Sequence, residues 1–591
     1  MQRHNRETFF LADEGRILEI RDGEPRSRVP RAEEQLTSFR FSRLSRTEGI
    51  QVSPELREKL ARAMTAGGGA ANPDSSPGIP AGFTYLGQFV DHDLTQDRTR
   101  VANLGDPVSL EDMLQGRSPA LDLDSLYGLG PGHPTSAAFF EADGARLKVG
   151  ETIASGPPTV PAAAISHPGF DLPRAAELGT GTQADKRRPL IPDGRNDENL
   201  VVGQLHLAFM RFHNRVVDHL VEEGTTSSEL FERARATVVK HYQWMLRTEF
   251  LLHIVDQGIV DQVFTYGRRF FELPPDNQGP YGLPPQSGGP YDSAQPGDRP
   301  TMPIEFSVAA YRLGHSMIRG QYEWNRVFNS RGGLIPANLG LLFRFSGTSG
   351  NLTPGSPTDL TDLDDPESGD NLRLPSNWIA DFRRLFDFDA AGRKDLVVDT
   401  LDFNLTKRID TLLVDPLSDL PAGSFNQRGQ GTPPPIQRNL AFRNLTRASM
   451  VKLATGPQLV AELEGLGITP LTRTEILRGN GTDGVQFTGE NVLTQPEEQE
   501  LVEHTPLWFY ILREAELNSQ RPGRLTGLGG NIVAEVFHRA MEGSVNSIVK
   551  DPDWTPTLPS HKQGDFTMAD LLLFAFEGKP ELLNPLLDGP I

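Results

Sequence analysis

The sequence predicts a mainly α-helical fold: one large unit with long loops and little β-structure. Three observations carry this prediction. Apolar residues recur at spacings of three and four over several stretches, which marks one face of a helix. Alternating strand patterns are few, and no segment repeats. Glycine (58) and proline (47) are frequent among the 591 residues, above their usual share, and place structured loops between the helices. Length alone suggests about four domains at roughly 150 residues each. No composition shift separates independent units, however, and 37% apolar residues suffice for one sizeable core.

The elements follow in order. Residues 1–80 are charged and read as irregular, apart from a helix over about Glu55 to Ala66, and are expected to pack as an extension on a body spanning 81–591. Thr84 to Asp93 is an apolar run that ends in a polar cluster. Residues 99–195 read as loop-rich. A strong helix covers about Asn199 to Glu222, with Val202, Leu205, Phe209, Phe212, Val216 and Leu220 on one face. A second covers about Ser228 to Asp256. Residues 272–303, rich in Pro, Gly, Ser and Gln, form a loop. Helical pattern resumes over Ile304–Arg319, and the acidic stretch Asp359–Asp370 lacks the spacing of a calcium-binding EF-hand. The tail from about Pro496 to Phe576 holds three more helical patterns.

Composition excludes several functions. A net charge of −20 disfavours non-specific binding to nucleic acid or anionic lipid. The absence of cysteine excludes disulfides, thiolate metal sites and a cysteine nucleophile, and leaves the compartment open. The first residues, MQRHNRETFFLADEGRILEIRDG, lack the apolar core of a secretory signal. The apolar run Leu571–Phe576 is far short of the roughly 20 residues that cross a bilayer. The expectation is a soluble protein with no membrane span, either cytoplasmic or exported by a leaderless route.

Four clusters could carry chemistry. Asp91-His92-Asp93 is either a helix end with a satisfied histidine or an acid/base facing a cavity, since imidazole titrates near neutrality. In Ser118-Pro119-Ala120-Leu121-Asp122-Leu123-Asp124, oxygen side chains alternate with backbone carbonyls, which suits calcium or simply a solvated acidic loop. Asp193 to Asn199 precedes the strong helix. It can be a capping cluster, with Asn196 or Asp197 at the cap, or it can aim Arg195 into a site. In Tyr311-Arg312-Leu313-Gly314-His315, the histidine is a core residue or a ligand for a flat cofactor.

Taken together, the clusters resemble a known family. Gly87-Gln88-x-x-Asp91-His92-Asp93 resembles the distal-histidine motif of the animal-type haem peroxidases, the peroxidase–cyclooxygenase superfamily. Arg195-x-x-Glu198 is similar to that family's distal arginine with its glutamate, and His213-Asn214-Arg215 to a segment of its next helix. Arg312-x-x-His315 resembles the proximal pair, and Leu440 to Arg447 the segment that supplies an asparagine, Asn444. The motifs fall in family order over 84–450, and the chain is identified as a cysteine-free, bacterial-type member.

The resemblance implies a helical haem peroxidase fold, haem b as cofactor, and hydrogen peroxide as oxidant of halides, thiocyanate or aromatic donors through an oxyferryl intermediate. His315 would bind iron through Nε2, Asn444 would accept its Nδ1–H, and Arg312 would pair with a haem propionate. His92 would move the peroxide proton, Arg195 would stabilise developing negative charge, and Gln88 would bind distal water or a halide. Asp91 and Glu198 match carboxylates that form ester bonds to haem. Asn199 stands where the myeloperoxidase type has a methionine, which disfavours chloride and favours bromide, iodide, thiocyanate or phenols. Asp93, Ser118, Ala120 through its carbonyl, Asp122 and Asp124 match calcium positions. Two other functions compete. A fatty-acid dioxygenase would need a radical-forming tyrosine where this chain has Arg312; Tyr311 is one position off, about 100° away on a helix. A non-catalytic interaction module would not need His92, Arg195, His315 and Asn444 intact.

Overall fold

The computed structural model describes three strands within residues 8–28 and then residues 39–589, except 67–76, 100, 102, 114, 134–135, 157–158, 176–185, 274–299, 345, 347–371, 421–432, 482 and 519–522. Most of the 272–303 loop and all of Asp359–Asp370 lie outside the described residues. Helices dominate, as expected, and β-structure is confined to short pieces.

The N-terminal segment departs from the irregular reading. Strands β1 (Thr8–Leu11), β2 (Arg16–Arg21) and β3 (Glu24–Arg28) form an antiparallel sheet in that order, with Phe9 opposite Leu18 and Ile17 opposite Arg28. The signal was local. In the sequence, Asp22-Gly23 between the two strand segments is a dipeptide that favours hairpins.

Helix α1 (Pro54–Thr65) starts with Ser53 as its cap, whose side chain accepts from Leu56 N, and with proline at the first position. The residues before it are tied to the rest of the molecule. Arg43 donates to the carbonyls of Val451 (2.7 Å) and Lys452 (2.8 Å), and the Glu305 carboxylate accepts from Leu44 N at 2.9 Å.

Helix α2 (Gly82–Leu94) begins against Phe386. A Cβ on Gly82 would sit 2.2 Å from that ring, so only glycine fits there. Helix α3 (Leu200–Glu222) is capped by Asn199, one position inside the expected boundary, and α4 (Leu230–Met245) follows. The expected second helix is continuous but carries a π-helical turn at Leu246–Phe250 before ending at Ile254. Such a turn shifts the residues after it around the axis. The core joint of these helices is aromatic. Phe89 of α2 stacks on Phe209 of α3 (4.5 Å, 9°), and both meet the edge of Tyr242 from α4 (6.3 and 5.7 Å).

Residues 304–319 are not one helix. They form α5 (Ile304–Ser307), a 3-10 turn (Ala310–Leu313) and α6 (Gly314–Met317). Ala309 breaks the run with φ −131° and ψ −73°, and Gly314 is a poor helix former. Helix α7 (Leu440–Met450) packs against α1. Among the described residues, the tail holds four helices rather than three: α8 (Gln495–Glu503), α9 (Leu507–Leu517), α10 (Gly527–Gly543) and α11 (Met568–Ala575). One continuous core joins all of these elements from α1 to α11. Among the described residues, no helix is long and apolar enough to cross a membrane.

Candidate active site

A cavity of about 410 Å³ is walled by α2, the start of α3, the 310–318 turns and α7. Gln88, Asp91, His92, Glu198, Arg312, His315 and Asn444 all line it, although they are scattered over most of the motif-bearing sequence. Arg195 does not line it.

On the α2 side, Gln88, Asp91 and His92 fall three and four residues apart and so share one helix face. His92 is buried. Its Nδ1 lies 2.8 Å from Asn196 Oδ1, and Asn196 Nδ2 lies 2.9 Å from His206 Nδ1. In this relay His92 donates its Nδ1–H to Asn196, and its bare Nε2 has no hydrogen-bond partner among the described residues. Burial, helped by the charge of Arg195, lowers the imidazole pKa to about 3, so the ring is neutral at ordinary pH. A neutral ring with a free nitrogen is a proton acceptor.

Arg195, expected to point into the site, is turned onto Asp193. Its Nε donates to Oδ1 (3.0 Å) and one terminal nitrogen donates to Oδ2 (2.7 Å) and to the His92 carbonyl (3.1 Å). Arg117 donates to the same carboxylate at 2.9 Å. Burial would raise Asp193, but the two guanidinium groups outweigh it and hold the carboxyl well below its usual range. The carboxyls facing the cavity behave oppositely. Burial raises Asp91, against the pull of Arg195 and Arg312, and raises Glu198 to about 7. Asp91 also accepts from Thr95 Oγ1 at 3.0 Å.

Across the cavity, α6 presents His315 and α7 presents Asn444. The contact between them has the reverse of the expected polarity. Arg312, which can only donate, gives a hydrogen bond to Asn444 Oδ1 at 2.8 Å. Asn444 Nδ2 therefore faces His315 Nδ1, also at 2.8 Å, and donates to it. The His315 proton then sits on Nε2, which has no partner among the described residues. Arg312 also donates to the Ser307 carbonyl at 3.1 Å. Burial, then the Arg312 charge, lowers His315 to about 3. Apolar side chains such as Leu339, Leu342, Phe343, Leu417 and Leu440 close the walls, while Arg447 of α7 is ion-paired with Asp97 at the rim.

Tyr311 also lines the cavity, buried, stacked on Phe306 (4.8 Å, 10°), with its hydroxyl unpartnered among the described residues. The 100° argument assumed an α-helix, whereas residues 310–313 form a 3-10 turn of different pitch.

The expected calcium positions are partly brought together. Asp93 accepts from Leu123 N and Ser125 Oγ (both 3.3 Å), and burial, then the neighbouring Asp124 and Asp122, push its carboxyl well above its usual range. Asp124, pushed by burial to about 6, accepts from Ser118 N at 3.1 Å, and its Oδ1 has no partner among the described residues. Asp122 is turned away, accepting from Ser544 Oγ at 2.6 Å. The Ala120 carbonyl accepts from Asp122 N at 3.0 Å. Among the described residues, no three acidic or histidine side chains converge as a metal cage.

Sequence reasoning missed the supporting residues Asn196, His206, Asp193 and Arg117. Asn196 was in view only as a possible cap and Asp193 only as a member of the same cluster; nothing local says that they meet His92 and Arg117.

Residues 98–333 match the animal haem peroxidase family. A chorion peroxidase from Drosophila melanogaster is 29% identical over 133 residues, 22% of this chain and 14% of that protein. A peroxidase-like protein from Margaritifera margaritifera is 29% identical over 171 residues, 28% of this chain and 19% of that one. The matches thus span under a fifth of either relative's length. Among solved structures, peroxidase A from Dictyostelium discoideum aligns at 14% identity and a TM-score of 0.49, covering 90% of this chain and 95% of the other. A fatty acid alpha-dioxygenase from Oryza sativa aligns at 12% and 0.45, covering 84% and 74%. The family match and the two sequence relatives show that part of this chain is similar to the animal-type haem peroxidases.

Proposed function

We propose that this protein is a haem-dependent peroxidase that uses hydrogen peroxide to oxidise bromide, iodide, thiocyanate or small aromatic donors. One observation carries the reading: His92 and His315 line the same cavity, each with Nε2 free of any partner among the described residues. The apolar walls suit a flat macrocycle, and Arg312 suits its carboxylates. Bound haem b supplies the redox chemistry. His315 would hold it through Nε2, with the ring proton carried on Nδ1 instead. Asn444 would serve this by presenting its oxygen to Nδ1, which would leave Arg312 to pair with a haem carboxylate. His92 Nε2 accepts the proton of peroxide and returns it to the departing oxygen. Arg195, outside the cavity lining and bound to the His92 carbonyl, would contribute positive potential without touching the peroxide, and Gln88 would donate to distal water or an anion.

Asp91 and Glu198, which line the cavity, would be the carboxylates that form ester links to haem, and acid–acetone extraction tests this: esterified haem stays with the polypeptide. Calcium is proposed at Asp93 and Asp124, because two buried carboxylates with an unpartnered oxygen are relieved by a hard cation. Ser118 and Ala120 would add oxygens, and Asp122 joins only by leaving Ser544.

The test is to load the purified protein with haem and measure peroxide-dependent oxidation of bromide, thiocyanate and a phenol. His92→Ala is expected to lower all three by about 10²–10⁴-fold, and His315→Ala to lose the Soret band. Equal oxidation by wild type and His92→Ala would overturn the reading. Tyr311 in the cavity wall favours one second reading, a fatty-acid dioxygenase. Oxygen uptake with a fatty acid, lost in Tyr311→Phe, would select it.

A further inference from the structure

We propose that Asn199 is a positioning residue that fixes which end of the Gln88 amide faces the cavity, and thereby makes that wall select small anions. The orientation of both amides is set by one backbone N–H. Asn199 Oδ1 accepts from Val202 N at 3.1 Å, as a helix cap does. An N–H can only donate, so the oxygen of Asn199 is committed to the helix and its Nδ2 points away.

That Nδ2 lies 2.9 Å from Gln88. The atom it meets has to be an acceptor, which is Oε1. Gln88 Nε2 is left with two N–H groups and no partner among the described residues. Both side chains line the cavity beside His92. The two amides therefore relay the direction of one backbone N–H of α3 across to α2, and what they present is a pure donor. His92 Nε2 beside it is an acceptor of protons. A halide or thiocyanate, which only accepts, matches Gln88 in this orientation and would be repelled by the opposite one. The identity of the anion rests on the peroxidase reading; the orientation of the amide does not.

Two variants separate the cap from the relay. Asn199→Ser keeps an oxygen that caps Val202 N but is too short to reach Gln88. Asn199→Asp keeps the cap and reaches Gln88 as an acceptor, which turns the amide over and presents Oε1. Bromide is the probe, read in two ways: its anomalous diffraction peak in soaked crystals, with or without haem, and its Kd from the Soret shift of the haem-loaded protein. Wild type is expected to show a bromide peak within hydrogen-bond distance of Gln88 Nε2. Asn199→Asp should lose the peak and raise Kd at least about tenfold, the loss of one hydrogen bond to a charged group. Asn199→Ser should raise it less, with the thermal midpoint unchanged in both.

Because aspartate also adds charge, the neutral serine variant is repeated on a Gln88→Leu background. There it should have no effect on bromide. An equal effect with and without Gln88 would overturn the proposal, as would equal bromide binding by wild type and both variants. In those cases haem binding and His92-dependent turnover still judge the peroxidase reading separately. If the protein takes up no haem, that reading fails, and the bromide peak in haem-free crystals still decides the role of Asn199.

Discussion

His92 can act as a base only while its proton is kept on Nδ1, and Asn196 is the group that keeps it there. Replacing Asn196 with alanine removes that acceptor, and with it the link to His206. The rate of reaction with peroxide is expected to fall about 10–100-fold, the usual effect of losing a supporting hydrogen bond. Haem retention should not change, since Asn196 does not line the cavity. Stopped-flow spectroscopy at saturating haem measures it, and an unchanged rate would show that another group orients the ring. His92, His315 and Asn444 were legible in the sequence as residue types in a spaced pattern. The direction of the Asn444 hydrogen bond was not. It depends on Arg312 reaching the amide oxygen from another element, 132 positions away.

The elements hold the site in place through the Phe89–Phe209–Tyr242 joint. Phe89 precedes His92 by less than one turn of α2, so the packing of that ring sets the height of the imidazole. Phe209 is fully buried, and Phe209→Ala should cost about 3–5 kcal/mol. It should also loosen α2, so that haem dissociates faster; chemical denaturation and haem transfer to an acceptor protein measure the two effects. Retained stability with fast haem loss would place the joint in binding rather than folding. The long helices were legible because periodicity and caps are local: Ser53 and Asn199 stand one position before their helices. The break at Ala309, the 3-10 turn and the π-helical turn were not. The apolar spacing across 304–319 fits a continuous helix, and the departure comes from how that segment is packed among α2, α9 and α10. Tyr311 enters the cavity for the same reason.

Over the whole molecule, burial pushes histidines and carboxyls in opposite senses. His213 and His241 are lowered by burial to about 4, so the unfolded chain binds their protons more tightly. Their contribution to stability is present above pH 6.5 and is lost as pH falls towards 4. Glu249 and Glu514 are raised by burial to about 8, so the folded chain binds their protons more tightly. Their contribution is present below pH 4.5 and is lost as pH rises through 8. Above pH 6.5 only the carboxyls act. The thermal midpoint should fall by a few degrees between pH 6.5 and 8.5. Glu514→Gln should flatten that slope, because glutamine still accepts from Leu528 N without ionising. An unaltered slope would assign the alkaline loss to other groups. Chelation tests the second buried pair. If Asp93 and Asp124 hold calcium, EDTA at pH 7.5 should lower the midpoint and added calcium restore it; no response would mean that the pair shares a proton instead.

The chain's own order of residues determined which chemistry was available: two imidazoles, two carboxyls and an asparagine at family spacing, no thiol, and helices whose apolar stripes were bound to meet. Those features depend on residue type and near neighbours. Only the tertiary structure decided which way Asn196, Asn199, Gln88 and Asn444 face. The two ends of an amide are almost the same size, so packing and propensity do not distinguish them. Its polarity is set by whichever donor or acceptor the fold brings against it, and these come from elements far apart in the chain.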